Sequence, residues 1–249
     1  MISKNQIKLV RSLGIKKVRD EQRLFVAEGE KLVGDLLPHF DCESLFVTPE
    51  CALQHHFAAA QTVSHDEMHR LSQLTAPTSV LAVFRQPDYQ FSVDSLRSEL
   101  ILVLDEIQNP GNLGTIVRIA DWFGIHNIVC SPSTADIYNP KTVQATMGAL
   151  ARVQVHYADL PSFLADYQSL GLHIYGTFLD GENLYQKNLA ACGAIIFGNE
   201  GNGVSQRVAA FASEHLLIPN YPVGAPTSES LNVAVAAAVV CAEFRRRLI

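Results

Sequence analysis

Apolar and polar positions along the chain fall into two alternating series. In the first, NQIKLVRSL (5–13) has apolar residues at helical spacing, RLFVAEG (23–29) has a strand pattern and EKLVGDLLPHF (30–40) a helix pattern. SLFVT (44–48) then predicts a strand, HDEMHRLSQL (65–74) a helix and VLAVF (80–84) a strand. RQPDYQFSVDSLRSE (85–99) interrupts the alternation with Pro, Asp and Ser, which predicts a linker. The second series opens with ILVLDEI (101–107) as an apolar strand, an NPGN turn, and TIVRIADWFGI (115–125) as an amphipathic helix. HNIVCS and ARVQVHY (151–157) read as strands, with PKTVQATMGAL (140–150) helical between them and LPSFLADYQSLG helical after. LHIYGTF (172–178), AIIFGNE and HLLIPN are strand-like, VSQRVAAFA has helical spacing, and SLNVAVAAAVVCAEFRRR (230–247) reads as a long final helix. Near-continuous apolar strands alternating with helices predict an α/β fold whose parallel sheet is covered on both faces.

In such sheets, ligands sit beyond the C-terminal ends of the strands. Those ends are DEIQNPGNLG (105–114), GTFLDG (176–181), FGNEGNGVS (197–205) and IPNYPVGAPTSES (218–230), all rich in Gly, Asn, Pro and small polar residues. Four such loops in corresponding positions predict one composite site. A glycine-rich turn between strand and helix ordinarily cradles phosphate through backbone N–H groups. FGNEGNGVS does not fit that use: its glycines run GxxGxG rather than GxGxxG, it comes late in the chain, and Glu200 would repel a polyphosphate. GxxxxGK[ST], HExxH and GxSxG are absent. A ligand that is cationic and rich in hydrogen-bonding groups suits the loop better, and S-adenosylmethionine has that character: a sulfonium, an ammonium, an adenine edge and ribose hydroxyls, without phosphate.

Composition adds three constraints. With 249 residues, 48% of them hydrophobic, the chain can bury a large core as one domain or two. No run approaches the ~18 apolar residues of a membrane span, and MISKNQIKLV lacks a secretory apolar region, so a cytoplasmic protein without membrane association is expected. The five cysteines are scattered and never in a CxxC pair, which predicts buried free thiols rather than disulfides or zinc. The histidines, His55 and His56 included, have no ligand spacing, so no metal is expected. The net charge of −6 is unevenly spread: residues 1–23 carry seven Lys/Arg against two acids. That basic arm, with Lys4, Lys8, Arg11, Lys16, Lys17 and Arg19, is either an RNA footprint or the solvated face of an amphipathic helix.

NLGTIVRIADWFGI (112–125), IIFGNEGNGVS (195–205) and SLNVAVAAAVV (230–240), in that order and with an Ile-Pro pair before the third, resemble the three motifs of the SpoU/TrmH-type RNA 2′-O-methyltransferases of the SPOUT superfamily. The resemblance covers 99–249, and SKNQIKLVRSLGIKKVRDEQRLFVAEGEKLV is similar to an L30e-like substrate-binding domain, giving domains at 1–90 and 99–249. It implies a small L30e-like α/β domain followed by a SPOUT α/β catalytic domain whose C-terminal segment forms a trefoil knot. It also implies S-adenosylmethionine as cofactor, no metal, an RNA substrate with rRNA ahead of tRNA, and an active site formed in a homodimer. By position in the motifs, Asn112, Arg118, Glu200, Ser230 and Asn232 would be catalytic; Gly198, Ile218, Leu231 and Thr177 would line the cofactor site. Two departures stand out: NYPVGAPTSE lengthens the link before the third motif, and Ala234 replaces a serine common in the family.

Each residue also has a plain structural reading. Asn112 would be the N-cap of its helix and Ser230 that of the last helix; Arg118 would be an exposed helical arginine and Glu200 an ordinary loop acid. FRRR at the end would complement a helix C-terminus or, near a dimer interface, bind RNA. The resemblance gives Arg118 a direct role at the hydroxyl, in some members as general base. A guanidinium ordinarily stays protonated in proteins, so Arg118 is expected to clamp phosphate and ribose, and to act as the base only in a site that perturbs it severely. The alternatives to an rRNA enzyme are a tRNA 2′-O-methyltransferase, a non-catalytic RNA-binding protein of the same fold, and a small-molecule enzyme using another adenosine ligand.

Overall fold

The computed structural model describes residues 2–54, 57, 59–222 and 224–248. His55, His56 and Val223 lie outside the described residues. The chain divides into two compact units: Met1–Asp88 with Asp136–Ala151, and Tyr89–Ala135 with Arg152–Ile249.

Residues 1–88 form α1 (Lys4–Ser12), α2 (Lys16–Gln22), β1 (Leu24–Glu28), α3 (Glu30–Leu36), β2 (Cys42–Val47), α4 (Pro49–Gln54), β3 (Gln61–Thr62), α5 (His65–Leu71) and β4 (Val80–Arg85). The sheet order is β1-β4-β2-β3, with β4 antiparallel to both neighbours and only β2–β3 parallel. β4, apolar and buried from Val80 to Phe84, therefore sits in the sheet interior, with only Arg85 at its end exposed. Serine starts two of the helices by the same device: Ser3 with Gln6, and Ser64 with Glu67, form reciprocal capping boxes.

The rest of the chain forms β5 (Leu100–Leu104), α6 (Pro110–Trp122), β6 (Asn127–Cys130), α7 (Pro140–Thr146), β7 (Gln154–Tyr157), α8 (Leu160–Ser169), β8 (Ile174–Asn183), β9 (Gly193–Phe197), α9 (Gln206–Ala209), β10 (Glu214–Leu217) and α10 (Val233–Arg246). Six strands make one sheet in the order β10-β8-β9-β5-β6-β7, every pair parallel. The α/β reading with a parallel sheet is thus met in this unit. β8 is longer than LHIYGTF and contains an excursion: it pairs with β10 at Tyr175–Gly176 and again at Glu182–Asn183, leaving 177–181 outside the ladder. Gly181 is needed where that excursion rejoins, since a Cβ there would lie 2.7 Å from the Leu216 carbonyl carbon. The expected helix 140–150 stops at Thr146 because Met147 turns left-handed (φ 51°).

The expected division at 1–90 and 99–249 assigns Asp136–Ala151 to the second part, whereas this segment clusters with residues 1–88. Arg19 supplies the physical reason. It is 1% exposed, donates from Nε to Asp136 Oδ2 at 3.0 Å and from a terminal nitrogen to the Leu13 carbonyl at 2.8 Å. Tyr138 packs its ring 4.8 Å from Phe25, and Gly148 (φ 92°) leaves room for Asp35, whose Oδ2 would be 2.3 Å from a Cβ. Arg19 is therefore corrected from an RNA-facing residue to an internal ion-pair partner. Removing one member of a buried pair strands the other charge, which costs about 3–5 kcal/mol. Arg19→Ala is expected to lower the unfolding free energy by about that amount in denaturant titration, far more than Lys4→Ala at the surface.

Among the cysteines, Cys51, Cys130 and Cys241 are buried as expected, but Cys42 is exposed and Cys192 half-buried. Burial pushes the Cys130 thiol up strongly and Cys241 to about 12, so both stay protonated. At the end of α10, Glu243 is 4% exposed and bonded to Arg246 and Arg247; these partners hold its carboxyl down at about 2. Two of the FRRR arginines thus satisfy this acid, and the third, Arg245, bonds the Phe123 and Gly124 carbonyls. A depressed carboxyl stabilises the fold above its unfolded pKa, and this contribution falls away as pH drops from about 4.5 toward 2. Glu243→Gln should flatten that part of the stability–pH curve, as read by thermal melts across the same range.

Candidate active site

α6 and α10 run side by side in the same direction. Asn112 in the first turn of α6 meets Asn232 at the start of α10, and Arg245 near the end of α10 bonds the carbonyls just past α6. The N-terminal ends of both helices, with their partial positive charge, are therefore brought together.

The start of α6 is set by Asn109-Pro110. Asn109 Oδ1 accepts from the Gly111 and Asn112 N–H groups at 2.8 and 3.1 Å, with proline at the first helical position. Asn109, not Asn112, is the cap, and Asn112 sits within the first turn with its side chain free for another task. The same correction applies at α10. Asn232 Oδ1 accepts from Ala234 N and Val235 N at 3.0 and 3.3 Å, so Asn232 rather than Ser230 caps the helix. Ala234, at the serine-to-alanine departure, is buried in that first turn.

These caps orient a chain of amides. With Asn232 Oδ1 committed to α10, its Nδ2 points to Asn112 Oδ1 at 3.2 Å. Asn112 Nδ2 then donates to Glu200 Oε1 at 2.6 Å. Residues separated by 88 and 120 positions thus form one line, Asn232 to Asn112 to Glu200, all pointing donors toward the carboxylate.

Glu200 belongs to the glycine-rich loop after β9, which folds tightly on itself. Asn199 and Gly203 exchange backbone hydrogen bonds at 2.9 Å in both directions. Gly198 is glycine because a Cβ there would stand 2.2 Å from the Gly203 carbonyl carbon and the Val204 nitrogen. Gly203 adopts φ 68°. The loop is also anchored to the end of β5: Ser205 N donates to the buried Asp105 at 2.8 Å, and Asn199 Nδ2 to the Glu106 carbonyl at 2.9 Å.

The remaining expected residues are placed more loosely. Arg118 is exposed on α6, about 9 Å along the axis from Asn112, and among the described residues it has no hydrogen-bond or ion-pair partner. Thr177 Oγ1 donates to the Ile196 carbonyl at 2.9 Å, on the strand leading to the loop. Ile218 is half-buried, Ser230 exposed, and Leu231 50% exposed. Within the lengthened link, Asn220 Nδ2 donates to the Ala225 carbonyl at 2.7 Å, bracing the turn that holds the exposed Tyr221. Lys4, Lys8, Lys16 and Lys17 are exposed in the first unit, while Arg11 is tied to the Ser72 carbonyl. Sequence reasoning missed Asn109, Asn199, Asp105 and Glu106; the Asn-Pro pair was a readable signal for the first of them.

A separate cavity of about 600 Å³ is lined by His173, Glu182, Asn183, Gln186, Lys187, Asn188 and Glu214, none of them in the amide line. Among the described residues, no group of three His, Cys, Asp or Glu side chains is placed to hold a metal ion, and no helix is long and apolar enough to cross a membrane.

Residues 99–242 match the SpoU rRNA Methylase family, and residues 4–82 match the MRM3-like substrate binding domain. The chain is similar to the 23S rRNA (guanosine(2553)-2′-O)-methyltransferase RlmP of Bacillus subtilis, with 31% identity over 98% of this chain and 97% of that one. A TrmH-family chain from Porphyromonas gingivalis superposes with a TM-score of 0.90 at 40% identity, covering 99% of each chain. The AdoMet-bound rRNA methyltransferase of Sinorhizobium meliloti superposes at 0.86 with 27% identity, covering 100% of this chain and 97% of that one. With the family match spanning the parallel sheet, the glycine-rich loop and both capped helices, the chain belongs to the SpoU rRNA methylase family.

Proposed function

We propose that this protein methylates a ribose 2′-hydroxyl of rRNA, using S-adenosylmethionine. The observation that carries the reading is the Asn232–Asn112–Glu200 line, which joins residues from all three motifs at the C-terminal end of the parallel sheet. The relatives named as 23S rRNA 2′-O-methyltransferases make rRNA the favoured substrate.

The loops fit the cofactor by their chemistry. Segments 105–114, 176–181, 197–205 and 218–230 contain Asp105, Glu106, Asp180, Glu200 and Glu229 but no Lys or Arg, so they favour a cation without phosphate. Leu231 and Tyr221 add exposed apolar surface for an adenine or a methylene chain. Bound there, S-adenosylmethionine supplies a methyl group already activated by its sulfonium, and the protein's task is alignment. Gly198 keeps the loop closed, Asn112 fixes one Glu200 oxygen, and Glu200 Oε2 stays available to accept a hydrogen bond from the ribose hydroxyl. Arg118 offers a guanidinium to the RNA phosphate or ribose. In-line placement of the hydroxyl against the methyl group contributes much of the rate.

Arg118 stands apart from the amide line, and Trp122, at the end of the same helix, is 84% exposed. Both features support a homodimer in which Arg118 serves a composite site. The trefoil knot belongs to the same reading. It is supported by the insertion of β9 between β5 and β8 and by the return of the chain after edge strand β10 to Asn112. The L30e-like unit would hold RNA through Lys4, Lys8, Lys16 and Lys17. Among the described residues the last two pair with exposed Asp20 and Glu21, contacts worth little and readily exchanged for phosphate. Calorimetry should show S-adenosylmethionine binding and no ATP binding; the reverse would favour a different adenosine-dependent enzyme. Sedimentation at micromolar concentration should give a dimer.

A further inference from the structure

We propose that Asn199 is a positioning residue for Glu200, clamping the glycine-rich loop to the carbonyl of Glu106. The inference rests on the methyltransferase reading and concerns how its acid is held. Every polar group of Asn199 is engaged. Its N–H and C=O pair with Gly203, its Oδ1 accepts from Gly201 N at 2.9 Å and Asn202 N at 3.1 Å, and its Nδ2 donates to the Glu106 carbonyl at 2.9 Å. Two N–H groups facing Oδ1 fix the orientation of the amide, so the donor to Glu106 is assigned by the network.

Glu106 is itself held in an uncommon conformation. It is left-handed at φ 58°, a region non-glycine residues rarely occupy. Its N–H donates to Ser131 Oγ at 2.9 Å, and Ser131 Oγ lies 3.0 Å from Thr134 Oγ1, which in turn donates to the Leu104 carbonyl. A buried hydroxyl cluster at the end of β6 thus secures the backbone that Asn199 grips. Strain of this kind persists only where surrounding contacts over-determine it, and it concentrates at functional sites. Glu200 follows Asn199 directly in the chain. The Asn199 clamp fixes the backbone on one side of the carboxylate, and Asn112 fixes the oxygen on the other.

Aspartate isolates the donor, because Asn199→Asp keeps an acceptor for Gly201 and Asn202 but turns an oxygen toward the Glu106 carbonyl. Amide exchange of Gly201 and Asn202 should stay slow in Asn199→Asp and speed up about 10-fold or more in Asn199→Ala. In Asn199→Asp, kcat should fall about 100-fold, the size expected for a misplaced reacting group, with KM for RNA changed by less than about 3-fold. In a Glu200→Ala background the same change should cost less than about 3-fold more, because the residue through which it acts is gone. Wild-type kcat in Asn199→Asp, or an equal loss in both backgrounds, would overturn the proposal. A wild-type chain that transfers no methyl would instead sink the methyltransferase reading. Exchange of the Gly203 amide, which pairs with the Asn199 carbonyl, would then decide the clamp: it should speed up about 10-fold in Asn199→Asp, and unchanged protection there would overturn the proposal.

Discussion

Arg118→Ala is expected to lower methyl transfer to RNA about 100-fold or more, with no loss of thermal stability. The residue is exposed and, among the described residues, unpartnered, so the folded protein gains little from its charge. A guanidinium left free on a helix beside the proposed site has its natural partner in the substrate, since it presents a planar fork of donors to phosphate and ribose oxygens. Lysine keeps the charge but not the fork, so Arg118→Lys should recover only part of the rate. Single-turnover assays with saturating RNA separate the loss in the chemical step from weaker binding. If the Arg118→Ala protein works at the wild-type rate, Arg118 has no catalytic role.

Gly198→Ala should remove S-adenosylmethionine binding, weakening affinity by about 100-fold or more. The added methyl would stand 2.2 Å from the backbone of Gly203 and Val204, a distance no rotamer change can relieve because both neighbours are main chain. The Asn199–Gly203 pairing must open, and the loop that carries Glu200 moves with it. Gly201→Ala provides the contrast: the nearest atom to its Cβ is the Asn199 Oδ1 at 3.5 Å, ordinary contact, so binding should change little. Calorimetry on the two variants reads the difference, and melting curves show whether the sheet below is intact.

Much of this was legible in the sequence, for reasons that differ by residue. Strands β5 and β9 are continuous apolar runs because helices cover both faces of a parallel sheet, and LILVL and GAIIF state that directly. Glu200 was marked by its mismatch with a phosphate cradle, and the structure gives it two helix N-termini and an amide donor instead. Helix starts were less legible. Asn109, Asn112, Ser230 and Asn232 are all good caps by type; Pro110 singles out Asn109, but only the three-dimensional course of the chain decides between Ser230 and Asn232 and brings Asn112 to the site. Arg19 could not have been separated from Lys16 and Lys17 locally, because its partner Asp136 lies 117 residues away. The excursion at 177–181 was hidden for a similar reason: it is defined by the register of β10, more than thirty residues later.

The central claim is transfer of a methyl group to a ribose 2′-hydroxyl of rRNA. Alkali cleaves RNA by using that hydroxyl as the nucleophile, so a 2′-O-methylated nucleotide survives as an uncleaved dinucleotide. The direct measurement is to incubate the purified protein with unmodified large-subunit rRNA and methyl-labelled S-adenosylmethionine, then hydrolyse with alkali and locate the label. Label confined to one alkali-resistant dinucleotide is the predicted result. Label on mononucleotides, which would mean base methylation, or no transfer to rRNA at all, would contradict it.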